Sequence, residues 1–274
     1  MSFQLMTKSQ SYALSEQTLV MGILNITPDS FSDGGRFNRT EAAIERAVQM
    51  EQEGAHIIDV GGESTRPGHR PVSEQEEIER VVPVIKAVKE QISIPISIDT
   101  YKAEVARQAL KAGAEIVNDV WGAKREPKIA EAAAEYDAPI ILMHNREEKN
   151  YNSLIIDMKR DLQESIKIAK EAGVKDHHII LDPGVGFAKT IDDNLEVMRN
   201  LDQFHDLGFP LLLGTSRKSF IGHVLDLPET DRMEGTGATV CLGISKGVQI
   251  VRVHDVKEIV RMTKMMDAMI ERRS

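Results

Sequence analysis

Short β-branched runs alternate with longer stretches of helical period from one end of the chain to the other. The runs are "LVMGILNIT", "HIIDVGG", "PISIDT", "EIVNDV", "PIILMH", "HIILDPG", "PLLLGTS" and "QIVRVHD", eight candidate strands. Between them lie segments such as "TEAAIERAVQMEQEG" and "KAEVARQALKAG", whose apolar residues recur three or four apart and predict amphipathic helices. Ser73 with Glu76, and Thr190 with Asp193, fit capping boxes, while Gly54, Gly113, Gly173 and Gly208 stand where helices should stop. Strand starts near 19, 56, 95, 115, 139, 178, 210 and 249 give eight βα units at the length of a closed barrel. The expected fold is α/β, a single-domain (β/α)8 TIM barrel. An open doubly wound sheet would show the same alternation but usually has fewer strands.

Composition narrows the picture. The chain has 274 residues, 41% hydrophobic, enough for one large core, and no linker divides it. Residues 1–17 read as an N-terminal extension and 18–274 as the barrel. A net charge of -9 without a basic block argues against nucleic acid or an anionic membrane as partner. An anionic ligand would need a locally basic pocket. Cys241, alone of its kind, excludes an internal disulfide and a thiolate metal cluster, and reads as a helix packing residue. No run of eighteen apolar residues or signal-like segment occurs, so a cytoplasmic location is expected.

Barrels of this type carry their chemistry at the C-terminal ends of the strands. Here those ends are polar: Asn25, Asp59, Asp99, Asn118 with Asp119, His144, Asp182, Ser216-Arg217-Lys218, Arg252 and His254. Helix capping is the competing explanation for each carboxylate. It suits Asp255 before "VKEIV", and loop support suits Asp59 and Asp119. It suits Asp99 poorly, since Thr100 can cap the next helix, and Asp182 poorly, since "DPGVGF" leads into a loop. Acceptors converging from Asp99, Asn118 and Asp182 match a flat heterocycle with adjacent N–H donors, such as a 2-amino-pyrimidinone edge, with Asp182 as the paired acceptor. Lys218 would donate to a carbonyl or ring nitrogen, and Arg252 would stack on the ring or grip phosphate. Arg217, Lys218, Arg252 and His254 fall where barrels bind phosphate. His144 reads as a satisfied core histidine. Two loops, "PDSFSDGGRFNR" and "ESTRPGHRPV", are long for βα connections and offer Ser30, Ser32, Asp33, Ser64, Thr65 and Arg66 as hydrogen-bonding groups, so they read as lids, with disordered decoration as the alternative that their glycine content leaves open.

Seven segments in order, "GILNITPDSFSDGG", "IIDVGGESTRPG", "ISIDT", "IVNDV", "LDPGVGF", "GTSRKSFIG" and "VRVHD", resemble the signature of the bacterial dihydropteroate synthase family. The resemblance implies a homodimeric (β/α)8 enzyme of folate biosynthesis, a transferase and sulfonamide target. Such an enzyme joins 6-hydroxymethyl-7,8-dihydropterin pyrophosphate to p-aminobenzoate, with Mg2+ assisting, by an SN1-like path. Carried onto this sequence, it implies pterin binding by Asp99, Asn118, Met143, Asp182, Lys218 and Arg252. It implies a pyrophosphate site of Asn25, Arg66, Arg252 and His254, with Asn25 as the metal ligand. The p-aminobenzoate site would hold Thr65, Arg66, Pro67, Phe187, Lys218 and Ser219. Asp33, Thr65, Arg66, Lys218 and Arg252 would serve catalysis, Asp33 either stabilising a cation or ordering its loop. A pterin-binding methyltransferase domain resembles the same barrel, but needs neither "TPDSFSDGG" nor Arg66. A non-catalytic pterin-binding protein would be expected to lose the loop residues while keeping the pocket, and both sets are present.

Overall fold

The computed structural model of the chain describes residues 3–26, 36–63 and 72–272, with backbone alone at 36–39. A short antiparallel hairpin, β1 (Gln4–Met6) and β2 (Ser11–Ala13), precedes eight parallel strands. These are β3 (Leu19–Asn25), β4 (Ile57–Gly61), β5 (Ile96–Asp99), β6 (Ile116–Asp119), β7 (Ile140–Met143), β8 (Ile179–Asp182), β9 (Leu212–Leu213) and β10 (Ile250–Val253). Neighbours pair in chain order from β3 to β8, and β10 joins β3 to β9. A Leu181–Leu211 bridge, with Leu181 N–H donating to Pro210 C=O at 2.9 Å, links β8 to β9 and closes the ring. An open sheet would leave two free edges, so the doubly wound alternative falls.

Six helices follow β3 to β8 in turn: α1 (Arg36–Glu53), α2 (Glu74–Lys89), α3 (Ala103–Ala112), α4 (Lys128–Glu135), α5 (Leu154–Glu171) and α6 (Ile191–Arg199). After β9 come two, α7 (Ser219–Leu225) and α8 (Met233–Ser245), and α9 (Val256–Met269) follows β10. The extra α7 starts directly after Lys218, at the position where barrels often place a short ligand-facing helix.

Side chains alternate along each strand, and this parity builds two cores. Outward residues such as Ile58, Val60, Ile98, Val117, Leu142, Leu181 and Val251 pack under the helices. Inward residues Met21, Ile57, Ile116, Ile141, Ile180, Leu212 and Ile250 form a separate apolar floor, completed by Leu5 and Leu14 of the N-terminal segment. A fully buried side chain of this kind contributes ~1.5–3 kcal/mol. Two residues further along, on the same inner face, stand Asp59, Asn118, Met143, Asp182 and Arg252 within their strands and Gly214 just past β9. A greasy floor thus lies one side-chain layer beneath a polar one.

The expected stops hold: Gly54, Gly113, Gly173 and Gly208 all have positive φ. The caps hold only in part. Thr190 and Asp193 form the full box, but at Ser73 only the Glu76 N–H bond forms, because the Glu76 carboxylate turns to Arg80. Thr100 accepts from Lys102 N–H, and the first N–H of α3, at Ala103, is taken by Glu126 instead.

Candidate active site

Strand parity delivers Arg252 from β10 onto the inner wall between two carboxylates. Its Nε donates to Asp59 Oδ2 at 2.5 Å and its Nη2 to Asp99 Oδ2 at 2.6 Å. Asn118 Nδ2 adds a third bond to the cluster, to Asp59 at 3.0 Å. Two buried carboxylates share one guanidinium. Burial, opposed by Arg252 and reinforced by the charge of Asp59, therefore lifts Asp99 to about 7. Burial acts to lower the Arg252 pKa, but the two carboxylates outweigh it and keep the guanidinium charged. Asp59 Oδ1 and Asp99 Oδ1 are buried with no hydrogen-bond partner among the described residues, so the wall keeps acceptor capacity for a ligand. Asp59, expected to support a loop, instead anchors this wall. Asp119 does support a loop, accepting N–H bonds from Trp121 at 2.8 Å and Ala123 at 2.6 Å.

Across the barrel, Asp182 Oδ1 accepts from Gly184 N–H at 2.7 Å. Burial raises the Asp182 pKa, with the Lys218 cation pulling the other way. Lys218 sits at the N-cap of α7; its Nζ donates to Val185 C=O and lies 4.6 Å from the centroid of the Phe187 ring. Burial brings this ammonium down to about 8, against the attraction of Asp182. Gly214 leaves room between the two halves. A β-carbon there would stand 3.8 Å from Asp182 Oδ2 and 3.9 Å from the β-carbon of Arg252. Met143 is buried on the same inner layer.

Asn25 ends β3 at the rim. A β-carbon on Gly61 would lie 3.6 Å from Asn25 Oδ1 and from the Asp99 β-carbon, so these two side chains flank one glycine. His254 directly follows β10, and there Ser216 Oγ contacts its Nδ1 at 2.9 Å and accepts its N–H at 3.1 Å. Ser219, exposed, opens α7. Arg217 departs from expectation: its Nε and Nη2 clasp Asp255 at 3.0 and 2.5 Å, which commits it to the scaffold and leaves Asp255 no helix-capping bond. Asp33, Thr65, Arg66 and Pro67, with Ser30, Ser32 and Ser64, lie outside the described residues.

The described part of the site thus brings acceptors (Asp99, Asn118, Asp182) and Arg252 to the inner face at the C-terminal strand ends, with Lys218 reaching toward Asp182 from the N-cap of α7. Asp59 and Gly214 complete it, and each could have been found by counting two residues on from the floor positions Ile57 and Leu212. The model of the pterin binding enzyme family matches residues 21–254. Dihydropteroate synthase of Bacillus subtilis is 62% identical over 266 residues, covering 97% of this chain and 93% of that protein. The chain belongs to the dihydropteroate synthases, a family of pterin-binding enzymes. A crystal structure of the Clostridium difficile family member with pteroic acid aligns at TM-score 0.91 and 53% identity, over 93% of this chain and 97% of that one. The Xanthomonas albilineans synthase with 4-aminobenzoic acid aligns at TM-score 0.93 and 38% identity, over 98% and 99% of the two chains.

Proposed function

We propose that the inner wall holds the pterin of 6-hydroxymethyl-7,8-dihydropterin pyrophosphate, with the arylamine p-aminobenzoate entering beside Phe187, Lys218 and Ser219. The chain acts as a dihydropteroate synthase, a transferase that releases pyrophosphate and forms 7,8-dihydropteroate. The observation that carries the placement is the meeting of buried acceptors with two cations, Arg252 bonded to Asp59 and Asp99, and Lys218 attracted to Asp182. Asp182 accepts two parallel N–H bonds from the 2-amino-pyrimidinone edge, Asn118 and Asp99 extend the acceptor set, and Lys218 donates to the ring carbonyl or nitrogen. Met143 lines the apolar face of the ring, and Arg252 covers it.

The C–O bond to pyrophosphate breaks with its electron pair leaving on oxygen, and positive charge on the methylene spreads into the pterin. The arylamine nitrogen then supplies its lone pair to that carbon and sheds a proton. Arg252 and His254, at the end of β10, face the growing negative charge. Asp33, Thr65 and Arg66 belong to the two loops that keep water from the cation in this reading. Asn25 would hold Mg2+. The donor set fits, because the Asn25 amide oxygen at the rim is a hard ligand of the kind that suits an ion bound mainly through substrate oxygens and water. When bound, Mg2+ neutralises charge on the departing pyrophosphate.

The second copy of a homodimer has a candidate seat. Val224 and Leu225 of α7, Leu242 of α8, and Met265 and Met269 of α9 are exposed on three helices packed side by side. No described helix is long and apolar enough to cross a membrane. A lone cysteine suits the cytoplasmic location that this role implies. The test is pyrophosphate release, which should require both substrates and Mg2+ and be competed by a sulfonamide. Release without the arylamine, or no dihydropteroate with all three present, would reject the reading.

A further inference from the structure

Lys189 lies beneath the segment that runs from Asp182 to Phe187, only 4% exposed. Its ammonium donates to Gly184 C=O at 3.0 Å, to Phe187 C=O at 2.9 Å and to His144 Nδ1 at 3.0 Å. Three donors meet three acceptors, the full capacity of the group. Because His144 Nδ1 accepts, its Nε2 carries the ring proton and donates to Asp161 Oδ2 at 3.0 Å. Burial, against the pull of Asp161, lowers the His144 pKa to about 4 and keeps the ring neutral. Burial would raise Asp161, but hydrogen bonds from His144 and Arg146 hold it well below the usual carboxylate range. Arg146 fixes that carboxylate through Nε at 2.6 Å and Nη2 at 3.3 Å.

The segment needs an external hold. Gly184, Gly186 and Ala188 have φ of 66°, 92° and 47°. At Ala188 the left-handed conformation costs roughly 1–2 kcal/mol. Gly186 N–H is tied to Asn194 Oδ1 at 2.6 Å, and Ala188 C=O to the Tyr151 hydroxyl at 2.9 Å. The middle of the turn is gripped by two lysines, Lys189 from below and Lys218 on Val185 C=O from the pocket side. Lys218 must turn its donors to substrate in the function proposed above, whereas Lys189 stays with the turn.

We propose that Lys189, oriented by the Asp161–His144 pair, is a positioning residue for the arylamine half of the site: it fixes Phe187 and lets Lys218 serve the pterin. The inference rests on the reading of Phe187 as an arylamine contact. Burial and then the Lys218 cation push Lys189 down to about 7, against Asp182 and Asp193, so comparisons belong at about pH 6.5. Lys189→Met should raise KM for p-aminobenzoate about ten-fold while leaving KM for the pterin pyrophosphate within about two-fold, per folded active site. Asp161→Asn, which keeps the ring and the lysine, should move the same KM in the same direction by less. In a Phe187→Leu background, Lys189→Met should add under about two-fold, since its effect runs through Phe187. An unchanged arylamine KM in Lys189→Met, or an equal rise in both KM values, overturns the proposal while a Phe187→Leu defect leaves the site reading standing. If Phe187→Leu itself leaves the arylamine KM unchanged, the reading of Phe187 fails, and the proposal with it.

Discussion

Arg252 and Asp59 meet at 2.5 Å although they sit on β10 and β4, the two strands that flank β3. Arg252 is level with Met21 and Asp59 with Ile23, so the pair spans the inner face of β3. Asp59 also holds Asn118, which makes it the junction of the inner polar wall. Asp59→Ala leaves a buried guanidinium with one carboxylate and frees Asn118. It should destabilise the chain by about 3 kcal/mol in denaturant unfolding. Pterin affinity should fall with it, and a Tm and affinity equal to the parent would show that Asp59 anchors nothing.

How much of this was legible in the sequence is seen by comparing Asp59 with Asp119. Both are carboxylates at strand ends, and both read as loop support. The structure separates them by parity: Asp59 follows Ile57 on the inner face, whereas Asp119 follows Asn118 and points outward. The runs around them are hydrophobic on both faces, as parallel strands are, so alternation is hidden until barrel closure fixes which face is inside. The eight strands and Asp99, Asn118, Asp182, Lys218 and Arg252 needed only position at strand ends. Arg217 failed because its commitment to Asp255 joins two loops distant in sequence. Lys189 was invisible because it acts on main-chain carbonyls, which no residue pattern displays.

Asp182→Ala tests the paired-acceptor assignment. The variant loses the acceptor for two adjacent ligand N–H groups, and a charge-assisted pair of this kind contributes about 3 kcal/mol or more, on the order of 100-fold in affinity. Titration calorimetry with the pterin pyrophosphate should therefore show binding abolished or weakened on that scale. Parental affinity would remove Asp182 from the centre of the site.

Gly214 offers a steric test without touching any charge. Its φ is not among the positive ones, and a β-carbon would make ordinary contacts with Asp182 and Arg252. Gly214→Ala should fold and bind with modest loss. Gly214→Val, which adds two methyls between those side chains, should keep its far-ultraviolet spectrum and lose pterin binding. Retained binding in the valine variant would mean that the pterin does not lie between Asp182 and Arg252.

Asn25→Ala probes the rim. If Asn25 is the protein's oxygen ligand for Mg2+, the variant should need several-fold more Mg2+ for half-maximal pyrophosphate release, while a dihydropterin lacking pyrophosphate binds as before. A matched loss of dihydropterin binding would place Asn25 in the pterin pocket and not at the metal.

The pH dependence of pterin binding should report Lys218. If its ammonium donates to the ring as proposed, affinity should fall as pH rises through about 8, the value to which burial has lowered its pKa. On the acid side, protonation of Asp99, lifted to about 7, and of Asp182, whose pKa is also raised by burial, removes acceptors and bends the profile down again. The stability of the free chain moves the other way on the alkaline side. Between about 8 and the unfolded value of 10.5 the unfolded state holds more protons at Lys218, so this residue's contribution to stability rises with pH. Affinity lost in that window is therefore not explained by unfolding at this group. Calorimetric titration of a 7,8-dihydropterin across the range, paired with Lys218→Gln, separates the possibilities: the variant should bind more weakly and show no alkaline limb. A limb that persists in Lys218→Gln assigns the titration to the ligand or to another residue and removes Lys218 as the donor.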